Sequence, residues 1–81
     1  PPKKVVFKPL FTFGKFKYQI TNFGKVYKVG SNGERTEVRI RVHKGYNTLT
    51  LFSKLEGGTK NWKVSRLVYE IYWFSTRWYG N

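Results

Sequence analysis

The chain has 81 residues, of which sixteen are Lys or Arg and only four are acidic, so its net charge is +12. A chain of this length forms one small domain with a thin core. Charge of one sign repels itself in a compact domain unless a partner neutralises it. The composition therefore predicts a polyanionic partner, with nucleic acid as the first candidate and anionic lipid as the second.

The same composition argues against catalysis and against metal or cofactor chemistry. The chain contains a single His, His43, and no Cys, so neither a disulfide nor a thiolate metal site can form. General acid–base catalysis and metal binding both need several ionisable side chains that converge. The four carboxylates are scattered instead, at Glu34, Glu37, Glu56 and Glu70. We therefore expect a protein that is not an enzyme and that carries no cofactor or metal.

Cysteine usage and hydropathy also bear on location. The lack of Cys fits a reducing compartment, and we expect the cytoplasm of a bacterial or phage-infected cell, with a ribosome or a virion as a more specific home. The longest stretch without a charged residue runs from Gly45 to Ser53, which is far too short to span a bilayer.

Residues 1–15 are predicted to form a basic N-terminal arm. Pro1, Pro2 and Pro9 discourage regular structure there, and four Lys residues supply charge. The apolar residues between them are too many for a freely disordered tail. We expect the arm to pack on this domain or on a partner, and residues 16–81 to form a single nucleic-acid-binding α+β domain.

Alternating polarity predicts a hairpin after the arm. Residues 16–20 alternate apolar and polar side chains, which is the period of a β-strand. Asn22 and Gly24 supply turn chemistry, because Asn can bond its own backbone and Gly accepts a positive φ. Residues 25–29 are predicted to be the returning strand.

Three further strands are predicted to form a meander, at Thr36–His43, Tyr46–Ser53 and Lys60–Val64. Their apolar residues alternate with polar ones, so that one face of the sheet is apolar. That face is predicted to hold Val38, Ile40, Val42, Leu49, Leu51, Trp62 and Val64.

A helix is predicted to follow the last strand. Ser65 is a favourable N-cap, and the apolar residues after it recur at helical spacing. We expect this helix to run from about Arg66 to Ser75. The predicted fold is therefore α+β: a small antiparallel sheet, made of a hairpin and a three-stranded meander, with one C-terminal helix that covers its apolar face.

The uncovered face of this sheet is the predicted binding surface, and it holds Arg39, Arg41, Thr48, Thr50, Asn61 and Lys63. Arg and Asn can read base edges, and Lys and Arg neutralise phosphates. The candidates for groove contact are Arg39, Arg41, Asn61 and Lys63, and those for phosphate contact are Lys3, Lys4, Lys25, Lys28 and Lys60. The alternative is that Arg39 and Arg41 only keep a half-exposed strand in solution.

Aromatic residues are a second group of candidates. Tyr27, Trp73, Trp78 and Tyr79 can stack on bases. In a small domain they serve equally well as core residues or as a lid over the core.

Two stretches of the chain carry a family resemblance. Residues 18–26 read Tyr-Gln-Ile-Thr-Asn-Phe-Gly-Lys-Val, and residues 64–72 read Val-Ser-Arg-Leu-Val-Tyr-Glu-Ile-Tyr. Together they resemble the nuclease-associated modular domain that precedes the HNH motif in phage and intron homing endonucleases. That family opens with a Tyr, aliphatic, Ser or Thr, Asn, aromatic or Leu, Gly, basic, Val pattern. It later has His-Arg-Leu-Val at the start of a helix.

The resemblance covers about residues 16–72 and implies DNA recognition. Ser65 departs from the pattern, since the family usually has His at that position. No HNH segment lies within the 81 residues, so the resemblance implies a recognition module without the nuclease. The sheet and helix also look like the plant-type AP-two domain, at the level of architecture only.

Three functional hypotheses follow. The first is a non-catalytic module that binds double-stranded DNA through a basic sheet face, with RNA as the second choice of nucleic acid. The alternative is a structural protein of a ribosome or phage particle that binds RNA or packs between subunits through its basic arm. The third is a membrane-surface domain that inserts Trp73, Phe74, Trp78 and Tyr79 at the interface.

Overall fold

Two antiparallel sheets and a C-terminal helix make up the fold, and the computed structural model describes residues 4–74. The predicted α+β class is confirmed. The first sheet has the order β1-β2-β3-β4 and the second the order β5-β6-β7. The strands are β1 (Phe7–Phe13), β2 (Phe16–Thr21), β3 (Val26–Val29), β4 (Arg35–Val38), β5 (Arg41–His43), β6 (Tyr46–Ser53) and β7 (Gly58–Lys63). A short α-helix, α1 (Val64–Val68), continues as a π-helical segment, α2 (Tyr69–Phe74).

The predicted hairpin is present as β2 and β3, and its turn is held by Thr21. The backbone N–H groups of Phe23 and Lys25 donate to the Thr21 hydroxyl oxygen at 3.2 and 3.1 Å. Gly24 has a φ of +85°, which a residue with a side chain rarely adopts. Its backbone also lies close to α1, because a Cβ at this position would sit 3.2 Å from a methyl carbon of Val64. The turn between β2 and β3 therefore packs directly against the helix.

The predicted N-terminal arm is largely a strand, so the expectation that its prolines prevent regular structure is wrong. β1 is the edge strand of the four-stranded sheet and pairs with β2 from Phe7 to Phe13. Pro9 is tolerated because an edge strand does not need every N–H, and the register shifts between Pro9 and Phe11. The segment thus packs on this domain, and the expected boundary after residue 15 falls in the β1–β2 turn.

The side chain of Asn22 ties the chain that precedes β1 to the hairpin turn. The backbone N–H of Val6 donates to its Oδ1 at 3.0 Å, and its Nδ2 donates to the carbonyl oxygen of Lys4 at 3.1 Å. The turn predicted at Asn22 therefore also anchors the start of the arm.

The single strand predicted at Thr36–His43 is wrong, because the chain changes sheet within it. Val38 ends β4 opposite Val26, whereas Val42 lies in β5 opposite Asn47. Val38 and Ile40 are half-buried against the core, but Val42 is 72% exposed and is not covered by the helix. The alternation of Val38, Ile40 and Val42 continues through the crossing, so it contains no signal of the break.

The helix begins two residues earlier than predicted. Val64 is the first residue of α1 rather than the last of a strand, and it is buried together with Leu67. Lys63 occupies the N-cap without a side-chain hydrogen bond to the helix, so Ser65 is not the cap. The helix therefore begins at the buried residue Val64 and not after Ser65, although Ser65 is the better capping residue. The predicted end at Ser75 lies outside the described residues.

The core lies where the inner sides of the two sheets meet the helix. Ile20 and Val26 from the four-stranded sheet and Leu49 from the three-stranded sheet have no exposed surface. The predicted burial of Leu49 and Leu51 is confirmed. The remaining core residues are Phe13, Tyr18, Val64 and Leu67. Each sheet therefore has one inner side and one outer side.

Tyr72 in α2 fastens the end of the helix to the four-stranded sheet. Its hydroxyl oxygen lies 2.8 Å from the carbonyl oxygen of Val6 and 2.7 Å from that of Ile20. A phenol has one proton, so it donates to one of the two carbonyls at a time. This hydroxyl connects the C-terminal helix to two segments that are distant in sequence.

Tyr72→Phe is expected to lower the free energy of unfolding by about 1–2 kcal/mol, because the carbonyls of Val6 and Ile20 lose the one donor that they share, and the Ile20 carbonyl is partly buried. Chemical denaturation would measure it. Tyr69→Phe is the matched control, since Tyr69 lies in the same segment with 48% of its surface exposed. Equal effects of the two substitutions would contradict the anchoring role of Tyr72.

Burial raises the pKa values of the Tyr18 and Tyr72 hydroxyls above the usual 10.0. The folded state therefore keeps these protons at a pH where the unfolded chain releases them. Stability from the two groups is fully present below about pH 10 and is lost as the pH rises further. A Tyr18→Phe, Tyr72→Phe double variant should lose less unfolding free energy than the wild type between about pH 9 and pH 11. The Tyr69→Phe variant should follow the wild type, and an unchanged slope in the double variant would contradict the assignment.

Candidate nucleic-acid interface

The outer side of the three-stranded sheet gathers several of the predicted binding residues. Arg41 lies opposite Thr48, and Thr48 lies opposite Lys63, so one row crosses all three strands. Thr50 lies opposite Asn61 in the next row. Residues in register share a side of the sheet, and so do residues two apart in a strand. We call this surface the three-stranded face; it comprises Arg41, His43, Tyr46, Thr48, Thr50, Phe52, Asn61 and Lys63.

One member of this face is less accessible than the sequence indicates. Thr48 was expected on the open side and is on it by register, yet it is only 6% exposed. Its hydroxyl donates to the carbonyl oxygen of Tyr46 at 3.0 Å. The ammonium group of Lys63 lies 4.0 Å from the centre of the Tyr46 ring. Thr48 therefore forms the floor of the face, and the longer side chains around it form the contact surface.

The amide of Asn61 has a fixed orientation. The Thr50 hydroxyl donates to Asn61 Oδ1 at 2.6 Å, which leaves the amide nitrogen as the group that points away from this bond. Asn61 is exposed. It therefore presents N–H donors to solvent, and these suit acceptors such as purine N7 and O6 or phosphate oxygens.

The electrostatics of this face favour an anion. Strands β5, β6 and β7 contain no carboxylate, while Arg41 and Lys63 bring positive charge to this face and are both exposed. Glu56 lies in the β6–β7 turn, where its Oε2 accepts a hydrogen bond from the Gly14 backbone N–H at 3.1 Å. The nearest acid in the sequence is thus engaged with the β1–β2 turn. A phosphate that approaches the three-stranded face meets no opposing charge from its strands.

Two other predicted residues lie close in sequence but not on this face. Arg39 is exposed in the link between β4 and β5. Lys60 lies opposite Leu51 and therefore projects from the other side of β7, away from Asn61 and Lys63. Neither residue therefore belongs to the three-stranded face.

The remaining lysine candidates belong to the first sheet or precede it. Lys25 forms an exposed ion pair with Glu37, with Nζ 3.8 Å from Oε2. Lys28 is half-buried, and its ammonium lies 4.4 Å from the centre of the Phe16 ring. Lys4 is exposed ahead of β1, and Lys3 lies outside the described residues. The structure therefore divides the predicted site between two surfaces.

The aromatic candidates also lie on different surfaces of the domain. Tyr27 is half-buried on the outer side of the four-stranded sheet. Trp73 is 67% exposed and lines an open groove of about 590 Å³ together with Phe23, Tyr46 and Tyr69. Trp78 and Tyr79 lie outside the described residues. The groove meets the three-stranded face at Tyr46.

Sequence reasoning did not single out Tyr46 and Phe52 as binding residues. Both lie on the same side of β6 as Thr48 and Thr50, and their side chains are 51% and 66% exposed. The alternation that assigned Phe52 to the open side was the available signal. An exposed aromatic on a basic sheet face can contact a thymine methyl group or stack on a base.

Two features are absent from the described part of the chain: a group of possible metal ligands and a membrane-spanning helix. Within residues 4–74, no three His, Asp or Glu side chains come close enough to hold a metal ion. No helix in the same range has the length and apolar character needed to cross a bilayer.

Comparison of the chain with protein-family models, with curated proteins and with solved structures finds no match. The resemblance to the nuclease-associated modular domain therefore stays a prediction that rests on its two motifs.

Proposed function

We propose that this chain is a non-catalytic nucleic-acid-binding module that binds double-stranded DNA through the three-stranded face. The observation that carries the proposal is the row Arg41–Thr48–Lys63, next to the fixed amide of Asn61, in three strands without a carboxylate. The net charge of +12 supports a polyanionic partner.

The dimensions of the face suit a groove of duplex DNA. Adjacent strands lie about 4.8 Å apart, so β5 and β7 are separated by about 10 Å. The major groove is about 12 Å wide and is known to admit β-strands that present side chains to base edges. The helix lies on the inner side of the sheet against Leu49 and Leu51, so it does not obstruct such an approach.

The residues take different roles in this proposal. Arg41 on β5 and Asn61 on β7 flank the central strand β6 and contact base edges, Arg through paired donors and Asn through its amide hydrogens. Lys63 contacts a phosphate, and Arg39 and Lys60 follow the backbone at the rim. Phosphate contacts supply most of the affinity, and the base contacts supply discrimination between sequences.

The family resemblance supports the same proposal. In that family the module recognises DNA, and we expect the same role here in the cytoplasm of a bacterial or phage-infected cell. The alternative as a ribosomal or virion protein depends on a free basic arm. Since Phe7–Phe13 is a strand of the first sheet, only the residues ahead of Phe7 could act in that way.

Duplex binding should fall steeply with salt and should depend on the three-stranded face. We expect the slope of log affinity against log salt to be about −0.9 for each phosphate contacted. Lys63→Ala should reduce that slope by about one contact, and Arg41→Ala should weaken binding by about 1–3 kcal/mol at a preferred sequence. Fluorescence anisotropy with a labelled duplex measures both.

Lys17→Ala is the matched control for this experiment. It removes the same charge from an exposed position on the other sheet, so duplex binding should stay close to that of the wild type. A flat salt response, or equal losses in the Lys17, Arg41 and Lys63 variants, would overturn the proposal.

A further inference from the structure

A second cluster lies on the outer side of the four-stranded sheet and takes one residue from each strand. Its members are Phe7 of β1, Gln19 of β2, Tyr27 of β3 and Arg35 of β4. Gln19 lies opposite Tyr27, and Arg35 lies opposite Val29, two residues beyond Tyr27. These residues alternate with Ile20 and Val26, which face the core. We call this set the four-strand cluster.

The members of the cluster are fixed by direct contacts. The Phe7 and Tyr27 rings meet edge to face, with centroids 5.4 Å apart at an angle of 60°. The guanidinium carbon of Arg35 lies 3.9 Å from the centre of the Phe7 ring. Its Nε donates to Gln19 Oε1 at 2.8 Å. The Arg35 guanidinium thus lies over the Phe7 ring and is held there by a hydrogen bond to Gln19.

Burial shows that this cluster is not part of the core. Phe7 and Tyr27 are half-buried but do not belong to the core or to the partly buried residues that pack against it. Arg35 is exposed. The Arg35 guanidinium group and the Tyr27 ring therefore lie at the outer surface of the four-stranded sheet. We call this part of the surface the platform.

Positive charge flanks the platform. Lys17 lies opposite Val29 on the same side of the sheet and is exposed. Lys25 and Glu37 neutralise each other in part through their ion pair. Counting Lys17, Lys25 and Arg35 against Glu37, this outer side has more positive than negative charge. The surface combines stacking groups with cations, which are the two elements needed to bind unpaired nucleotides.

We propose that the outer side of the four-stranded sheet binds a single-stranded polynucleotide. One base stacks on the Arg35 guanidinium above Phe7, a neighbouring base stacks on Tyr27, and Lys17 and Lys25 contact phosphates. The bases of a duplex bury their flat faces against each other, so this platform takes unpaired nucleotides. The hydrogen-bond donors of the three-stranded face instead suit base edges in a groove of a duplex. The inference is separate from the proposed duplex binding, because the two outer surfaces belong to different sheets.

The contacts within the cluster also have a purely structural explanation, since they link all four strands. A cation on an aromatic face and an aromatic pair each stabilise a fold modestly. The test must therefore separate loss of binding from loss of folding.

The experiment measures binding of labelled oligothymidylate and oligouridylate, each of about 12 nucleotides, by fluorescence anisotropy. Tyr27→Leu should weaken binding by about 5- to 150-fold, which is the usual effect of removing one stacking ring. Tyr27→Phe keeps the ring and should bind like the wild type. Thermal unfolding of both variants reports whether they are folded.

Two further variants keep the test decisive. If Tyr27→Leu does not fold, Arg35→Gln takes its place, because Arg35 is exposed on the edge strand β4; it should weaken oligonucleotide binding by at least about 5-fold. Lys63→Ala changes the three-stranded face and should leave oligonucleotide binding unchanged.

The outcomes of these arms are distinct. Loss of oligonucleotide binding in folded Tyr27→Leu or Arg35→Gln protein, with duplex binding retained, supports the proposal. Wild-type oligonucleotide binding by folded Tyr27→Leu or Arg35→Gln protein overturns it. Oligonucleotide binding that is lost with Lys63→Ala instead also overturns it. If the duplex fails to bind at all while the Tyr27 dependence holds, the proposed duplex function fails and the single-strand site stands.

Discussion

Both sheets of this domain must bury their inner sides against the same small core, and this constraint shapes the rest of the molecule. Ile20 and Val26 from one sheet, Leu49 from the other, and Leu67 from the helix meet in a cluster of eight buried apolar residues. Each square ångström of apolar surface removed from water stabilises the folded state by about 25 cal/mol, and a small core removes little surface. Nearly every apolar position on the inner sides is therefore needed. The outer sides are left to polar, charged and aromatic residues. Lys17 and Arg35 of the first sheet and Arg41 and Lys63 of the second therefore place part of the positive charge on surfaces that the core does not use.

The parts of the fold that the sequence predicts are those whose local signals agree with this core. β2, β3 and β6 follow from alternation, and Asn22 and Gly24 mark the turn that the structure forms. The parts that fail are decided by contacts distant in sequence. The alternation from Val38 to Val42 continues through the exchange between sheets, so only pairing with Val26 on one side and Asn47 on the other reveals it. Pro9 was an argument against a strand, yet an edge position in the four-stranded sheet removes that objection.

The same distinction between local signals and contacts distant in sequence applies to the predicted site. Arg41, Asn61 and Lys63 share one face, because their positions follow directly from strand period and register. Lys60 was predicted as a phosphate contact, and a single step along β7 from Asn61 puts it on the opposite side of the sheet. Arg35 was not identified, since its partners Phe7 and Gln19 come from strands far from it in sequence. Residues in one strand can be assigned to a face from the sequence, whereas a cluster assembled from four strands needs the pairing order.

The surplus of cations explains a pattern of contacts that links stability to binding. Only two ion pairs are present among the described residues, Lys25–Glu37 and Arg66–Glu70, and both are exposed, so each contributes little. Four other cations lie over aromatic rings instead: Lys8 on Tyr72, Lys28 on Phe16, Arg35 on Phe7 and Lys63 on Tyr46.

An aromatic ring attracts a cation more weakly than a phosphate does, and it gives no directional hydrogen bond. A bound polyanion can therefore draw Lys63 from the Tyr46 ring to a phosphate and leave the ring face open to a base. In the free protein the same contact lowers the repulsion that a net charge of +12 creates, because it holds the ammonium over an electron-rich surface. The cation–ring contacts that help to stabilise so basic a domain are thus weak enough to be exchanged for contacts with a polyanion. With so few carboxylates in the chain, aromatic side chains are the main groups that can serve in this way.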